Sequence, residues 1–92
     1  MESSVYIKSS ATSRFYKVMV NVEGKEIDVG IEGLFMEYLA TFIKLHNKKI
    51  ISIAKKNYQN NENKKFIFEL CGDSEEKQQE ARNAFKLAHI YI

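Results

Sequence analysis

Between Phe15 and Ile31 the residues alternate in character, and a period of two belongs to an extended strand rather than a helix. Tyr16, Val18, Val20 and Val22 share one face, while Phe15, Lys17, Met19 and Asn21 share the other. After Gly24 the alternation resumes, with Ile27, Val29 and Ile31 set against Glu26, Asp28 and Gly30. Two such segments joined through a glycine read as a β-hairpin. Keeping the apolar residues on one side places Val22 opposite Ile27, Val20 opposite Val29 and Val18 opposite Ile31. The loop is then Gly24-Lys25, with glycine first as a type II′ turn requires. This register sets Glu23 against Glu26, a mildly unfavourable pair that counts against so tight a loop.

Gly33 releases the chain into a helix expected over Leu34 to His46. Phe35, Tyr38, Leu39, Phe42 and Leu45 fall along one stripe at helical spacing. Leu34, Met36 and Ile43 widen that stripe beyond what one sheet face needs. Glu32 and Glu37 near its start, with Lys44, His46 and Lys48 near its end, suit the helix dipole. Asn47 is the expected left-handed stop. A second hairpin is expected from Ile50–Lys56 and Lys65–Cys71, linked by the polar loop Asn57–Lys64. Asp73 with Glu76 three residues later resembles a capping box and predicts a last helix over Ser74–Tyr91. Ala81, Ala84, Phe85, Ala88 and Ile92 would turn toward the sheet.

Residues 1–13 are polar and serine-rich apart from Val5, Tyr6 and Ile7, and read as an arm or a short edge strand. Residues 14–92 read as a single α+β domain, since 92 residues suffice for one small core. The expected order is β-hairpin, helix, β-hairpin, helix. It gives a four- to five-stranded, mainly antiparallel sheet with two helices on one face.

Formal charge is only +2, but it is unevenly placed. Residues 44–65 hold seven lysines against Glu62, while both flanking segments are net acidic. Lys48, Lys49, Lys55, Lys56, Lys64 and Lys65, with the aromatic Tyr58, form a candidate track for a nucleic-acid backbone. The bland alternative is a solvated edge that resists aggregation. Two arginines against twelve lysines disfavour base-edge readout. Phe15 and Met19 on the outer hairpin face, and Tyr58, Asn60 and Asn61 on the polar loop, are candidate protein contacts. Scattered surface apolar residues are equally ordinary.

No catalytic residues, cofactor-binding loop or metal ligands are assigned. Gly24, Gly30 and Gly33 lack a phosphate-binding spacing. His46 and His89 have no partner at a ligand spacing, and Cys71 before Gly72-Asp73 has no identifiable base. Met1–Ser13 carries no signal-peptide core, and no apolar run is long enough to span a membrane. With a single cysteine, these features fit a cytoplasmic protein. The expected function is a small non-enzymatic binding module, a regulator or inhibitor acting by protein–protein contact. A phage or mobile-element origin, directed at a nucleic-acid-handling system, fits its size and its lysine- and isoleucine-rich composition. An RNA- or DNA-binding accessory domain using the lysine-rich second hairpin is the alternative, and a homodimer through the helix flank or a sheet edge would absorb the excess apolar width.

Overall fold

The structure, a computed structural model, describes residues 3–92; Met1 and Glu2 of the N-terminal arm lie outside the described residues. The first three strands, β1 (Ser3–Ser9), β2 (Tyr16–Val22) and β3 (Lys25–Gly33), form an antiparallel meander. Helices α1 (Met36–Asn60), α2 (Phe66–Cys71) and α3 (Glu75–Lys86) follow, and β4 (Ile90–Tyr91) returns to pair with β3. The result is an α+β fold with a four-stranded antiparallel sheet in the order β1-β2-β3-β4.

Alternation decides the two sheet faces as expected. Val18, Val20, Val22, Val29 and Ile31 lie inward and are buried against Leu39, Phe42, Ile50 and Phe66 from the helices. The hairpin tip differs from the expected register. Val22 pairs with Lys25, so the loop is Glu23-Gly24 rather than Gly24-Lys25. Both loop residues have positive φ, 52° and 84°, which is the geometry of a type I′ turn. Lower down, a shift between Met19 and Lys17 accommodates two extra residues of β3 around Gly30, at φ 75°. Beyond it, Lys17 opposite Glu32 and Tyr16 opposite Gly33 continue the register expected for Val18 and Ile31. A shift of two preserves every side chain's face, so apolar patterning cannot choose between the registers. The tip register also sets Glu26 opposite Asn21 instead of Glu23.

The expected second hairpin is not formed. Ile50–Lys56 is the second half of α1, and Lys65–Cys71 is the N-cap and body of α2. The reason lies in an ambiguity of short apolar runs: Ile50, Ile53, Ala54 and Asn57 also fall at i, i+3, i+4 and i+7. These four are the residues buried in this half of the helix, whereas Ile51 is only partly covered. Asn47 does not stop the helix. A single non-helical residue, His46 (φ −119°, ψ 18°), kinks it, and the left-handed cap is Asn61 at φ 51°. The last helix is likewise shorter than expected. Ser74, not Asp73, caps it by accepting the backbone N–H of Lys77, and it ends at Lys86 so that Ile90 and Tyr91 can join the sheet.

Candidate functional site

The outer sheet face is built from the residues between the valines. Tyr6 and Lys8 on β1, Lys17 and Met19 on β2, and Glu26 and Asp28 on β3 all project to this side, as the pairing register requires. Tyr6 Oη and Lys8 Nζ both donate to the Glu26 carboxylate, the lysine at 2.8 Å. Donation to Glu26 pushes the Tyr6 phenol up to about 12. The Lys8 ammonium, and then the Tyr6 hydroxyl, hold the Glu26 carboxyl below its ordinary value. Lys17 reaches Asp28 at 3.5 Å. Met19 points outward as expected, yet it is only 8% exposed, so it has little surface to offer a partner. Phe15 is half-buried with its ring edge-on to Tyr91 at 5.7 Å.

Tyr58, Asn60 and Asn61 lie elsewhere, at the far end of α1. Tyr58 packs partly against the core, and the Glu23 carboxylate, chiefly as a hydrogen-bond acceptor, raises its phenol pKa. Asn61 is the helix cap and Asn60 is exposed. The candidate contact residues therefore do not share one surface. The asparagine-rich loop has a structural task that no spacing rule reveals. Buried Asn57 donates from Nδ2 to the Lys64 carbonyl at 2.8 Å and accepts the Lys64 N–H on Oδ1 at 3.1 Å, closing the loop on itself.

The lysine cluster changes shape because its carrier is a helix. Lys44, Lys48 and Lys55, at i, i+4 and i+11, lie on the side of α1 away from the buried residues and span about 16 Å along it. Lys49 and Lys56, seven apart, flank them. Lys56 is held by Glu69 of α2 at 3.1 Å, where Ser52 also donates to Glu69 at 3.0 Å, and Lys64 pairs with Glu62 at 3.2 Å. Lys44, Lys48, Lys49, Lys55 and Lys65 make no ion pair among the described residues. All are exposed.

Exposed apolar side chains occur at the start of α1 and in the turn between α3 and β4, and also at Leu45 of α1 (74%) and Phe68 of α2 (43%). Phe35, Met36 and Tyr38 are 49%, 50% and 48% exposed, and Leu87 is 86% exposed. Phe35 packs edge-on against Tyr38 at 5.5 Å and against His89 at 5.3 Å. His89 has a positive φ of 55°, and its carbonyl accepts the Leu34 N–H at 3.2 Å, which pins the turn to the start of α1. Helical spacing puts Phe35 and Tyr38 on the same stripe as Leu39 and Phe42. Only Leu39 and Phe42 of the expected stripe are buried. The excess apolar width noted around Leu34, Met36 and Ile43 was the available signal.

His46 sits at the helix kink among the rings of Phe42, Phe66 and Phe85, 4.7 to 5.9 Å away. Burial first, and the Lys49 charge second, lower its pKa. Cys71 ends α2 rather than a strand, and its thiol donates to the Lys77 carbonyl at 3.6 Å. Among the described residues no group of three or more His, Cys, Asp and Glu side chains is placed to hold a metal ion, and no helix is long and apolar enough to cross a membrane. In comparisons with known proteins the chain matches no family, no curated protein and no solved structure.

Proposed function

We propose that this chain is a non-enzymatic binding module, a regulator or inhibitor, whose contact surface is the Phe35–Met36–Tyr38 end of α1 together with Leu87 of the turn that His89 pins to it. The observation that carries this proposal is half-exposed aromatic surface already held in place by ring packing. Aromatic anchors dominate the energetics of protein interfaces. A pre-packed ring also loses little conformational freedom on binding. A buried Met19 and the separation of Phe15 from Tyr58 argue against the sheet face and the polar loop as that surface.

The test uses the partner isolated from source cells and the full chain. Tyr38→Ala and Leu87→Asp should each weaken binding at least ten-fold, with little dependence on salt. Unchanged affinity in both variants would remove this surface from consideration.

A second proposal rests on the unpaired lysines of α1, which suit a nucleic-acid backbone without base readout. Three phosphate contacts by Lys44, Lys48 and Lys55 would make affinity for duplex DNA fall about 40-fold between 50 and 200 mM salt. A triple Lys→Gln variant would flatten that dependence. Binding that ignores both the salt and the variant excludes it.

A further inference from the structure

The two edges of the sheet are treated differently. At the β4 edge, the stretch of β3 beyond the two-residue β4 faces the loop after α1, with Lys25–Asp28 and Asn61–Asn63 lining one depression. Gly30 carries the register shift there, and the Lys65 stem lies so close that an added Cβ would stand 2.9 Å from its Cγ. A very short strand, an irregularity and a covering segment are devices that stop a sheet edge from recruiting another strand. Strand β1 is neither very short nor irregular, and its one charged residue, Lys8, is held by Glu26. It runs for seven residues, and its register against β2 is unbroken from Ser3↔Val22 to Ser9↔Tyr16. It contains no proline, and its inward residues Ser3, Val5, Ile7 and Ser9 carry no charge. Among the described residues no strand pairs with its outer edge. Val5 and Ile7 are only half-buried at the rim of the core.

We propose that β1 pairs antiparallel with β1 of a second copy of this chain, in register about Tyr6, joining two sheets into one of eight strands. The sequence of β1 supplies the register. A continuous sheet needs inward residues opposite inward residues, so only registers that keep this parity are open. Centring on Tyr6 uses all seven residues. It sets Val5 opposite Ile7 of the second copy, Ser3 opposite Ser9 and Ser4 opposite Lys8. Centring two residues' worth of pairing to either side, on Val5 or Ile7, leaves only five pairs. Centring on Lys8 would set two lysines face to face, which is unfavourable. Pairing about Tyr6 therefore completes the half-buried apolar rim and separates the like charges. Because β1 and β4 are opposite edges, the aromatic junction near β4 stays free in both copies. A partner with two matching surfaces would then be held bivalently.

The mass of the full chain in solution is the first test. Light scattering should give about twice the 10.7 kDa of one chain at micromolar concentration, falling toward one on dilution. A single-chain mass at several hundred micromolar overturns the proposal, including the case in which β1 instead captures an extended peptide from another protein. Register is tested in a Cys71→Ser background with one new cysteine at a time, each confirmed as folded by circular dichroism. Tyr6→Cys places two thiols across the axis, with Cα atoms about 4.5–5.5 Å apart, within disulfide reach. It should yield a covalent dimer on mild oxidation. Ser4→Cys and Lys8→Cys alone, with like positions about 13 Å apart, should cross-link at least ten-fold less. Mixed together, those two should cross-link with each other. Equal cross-linking at all three positions, or none at Tyr6→Cys, overturns the register. The Tyr38 and Leu87 variants should remain dimeric, so loss of partner binding and loss of self-pairing can be told apart.

Discussion

Asn57 shows what a single polar residue does when it is buried with both of its amide groups engaged. Its two hydrogen bonds to Lys64 hold the stretch after the helix, Asn61-Glu62-Asn63-Lys64, which carries no apolar residue. Asn57→Ala leaves the Lys64 N–H and carbonyl to find other partners, and should cost about 1–3 kcal/mol in urea unfolding. Asn60→Ala, on an exposed side chain, should change stability by less than about 0.5 kcal/mol. Equal effects at the two positions would show that the clip does not hold the loop. His46 provides a pH handle of definite sign. Its folded pKa is lowered, so below about pH 6.5 the unfolded chain takes up a proton that the folded chain resists. The imidazole's contribution is intact above the unfolded value and is lost as pH falls through it toward the folded one. The thermal midpoint should therefore drop more between pH 7.5 and 5 in the natural chain than in His46→Gln. Parallel pH profiles would mean that the ring cluster does not disfavour the charged imidazole.

At the scale of elements, the second half of α1 is the most instructive stretch. As a strand, Ile51 and Ile53 would share a face; as a helix, Ile50 and Ile53 do. The two alternatives give different mutational patterns. Ile50→Ala and Ile53→Ala should each cost about 2–5 kcal/mol, and Ile51→Ala clearly less. Chemical denaturation of the three variants checks this directly. A pattern pairing Ile51 with Ile53 would favour the hairpin. The kink at His46 lies between two halves of one element that bury residues in the same core. Before it, α1 contributes Leu39 and Phe42, the latter against Phe66 and Phe85, and after it Ile50, Ile53 and Ala54 join the same core.

Across the whole molecule, exposed apolar side chains occur both at the start of α1 and among charged residues, with Leu45 beside Lys44 and Phe68 beside Glu69. The outer sheet face is neutralised by local ion pairs, the solvent side of α1 keeps unpaired lysines, and Phe35 and Tyr38 are exposed where α1 begins. Surface lysines of this kind add little to stability. Changing Lys44, Lys48 and Lys55 together to Gln should leave the unfolding free energy within about 0.5 kcal/mol per site while altering any polyanion binding. A large loss of stability would instead assign those lysines a structural role.

The sequence by itself determined the α+β class, the β2–β3 hairpin and which of its side chains face the core. Alternation over Tyr16–Ile31 is a local signal that survives any choice of long-range contacts. It also determined where the positive charge lies. Only the tertiary structure decided the rest. Ile50–Cys71 satisfies both periods in short pieces, and the available inward surface of the sheet and α3 selected the helix. The tip register was settled by a two-residue shift that patterning cannot detect. Phe35 and Tyr38 sit on a stripe wider than the sheet could cover, and packing decided that Leu39 and Phe42 would be buried. Exposure of a contact surface is a property of what remains uncovered after the core is full, and no single residue encodes it.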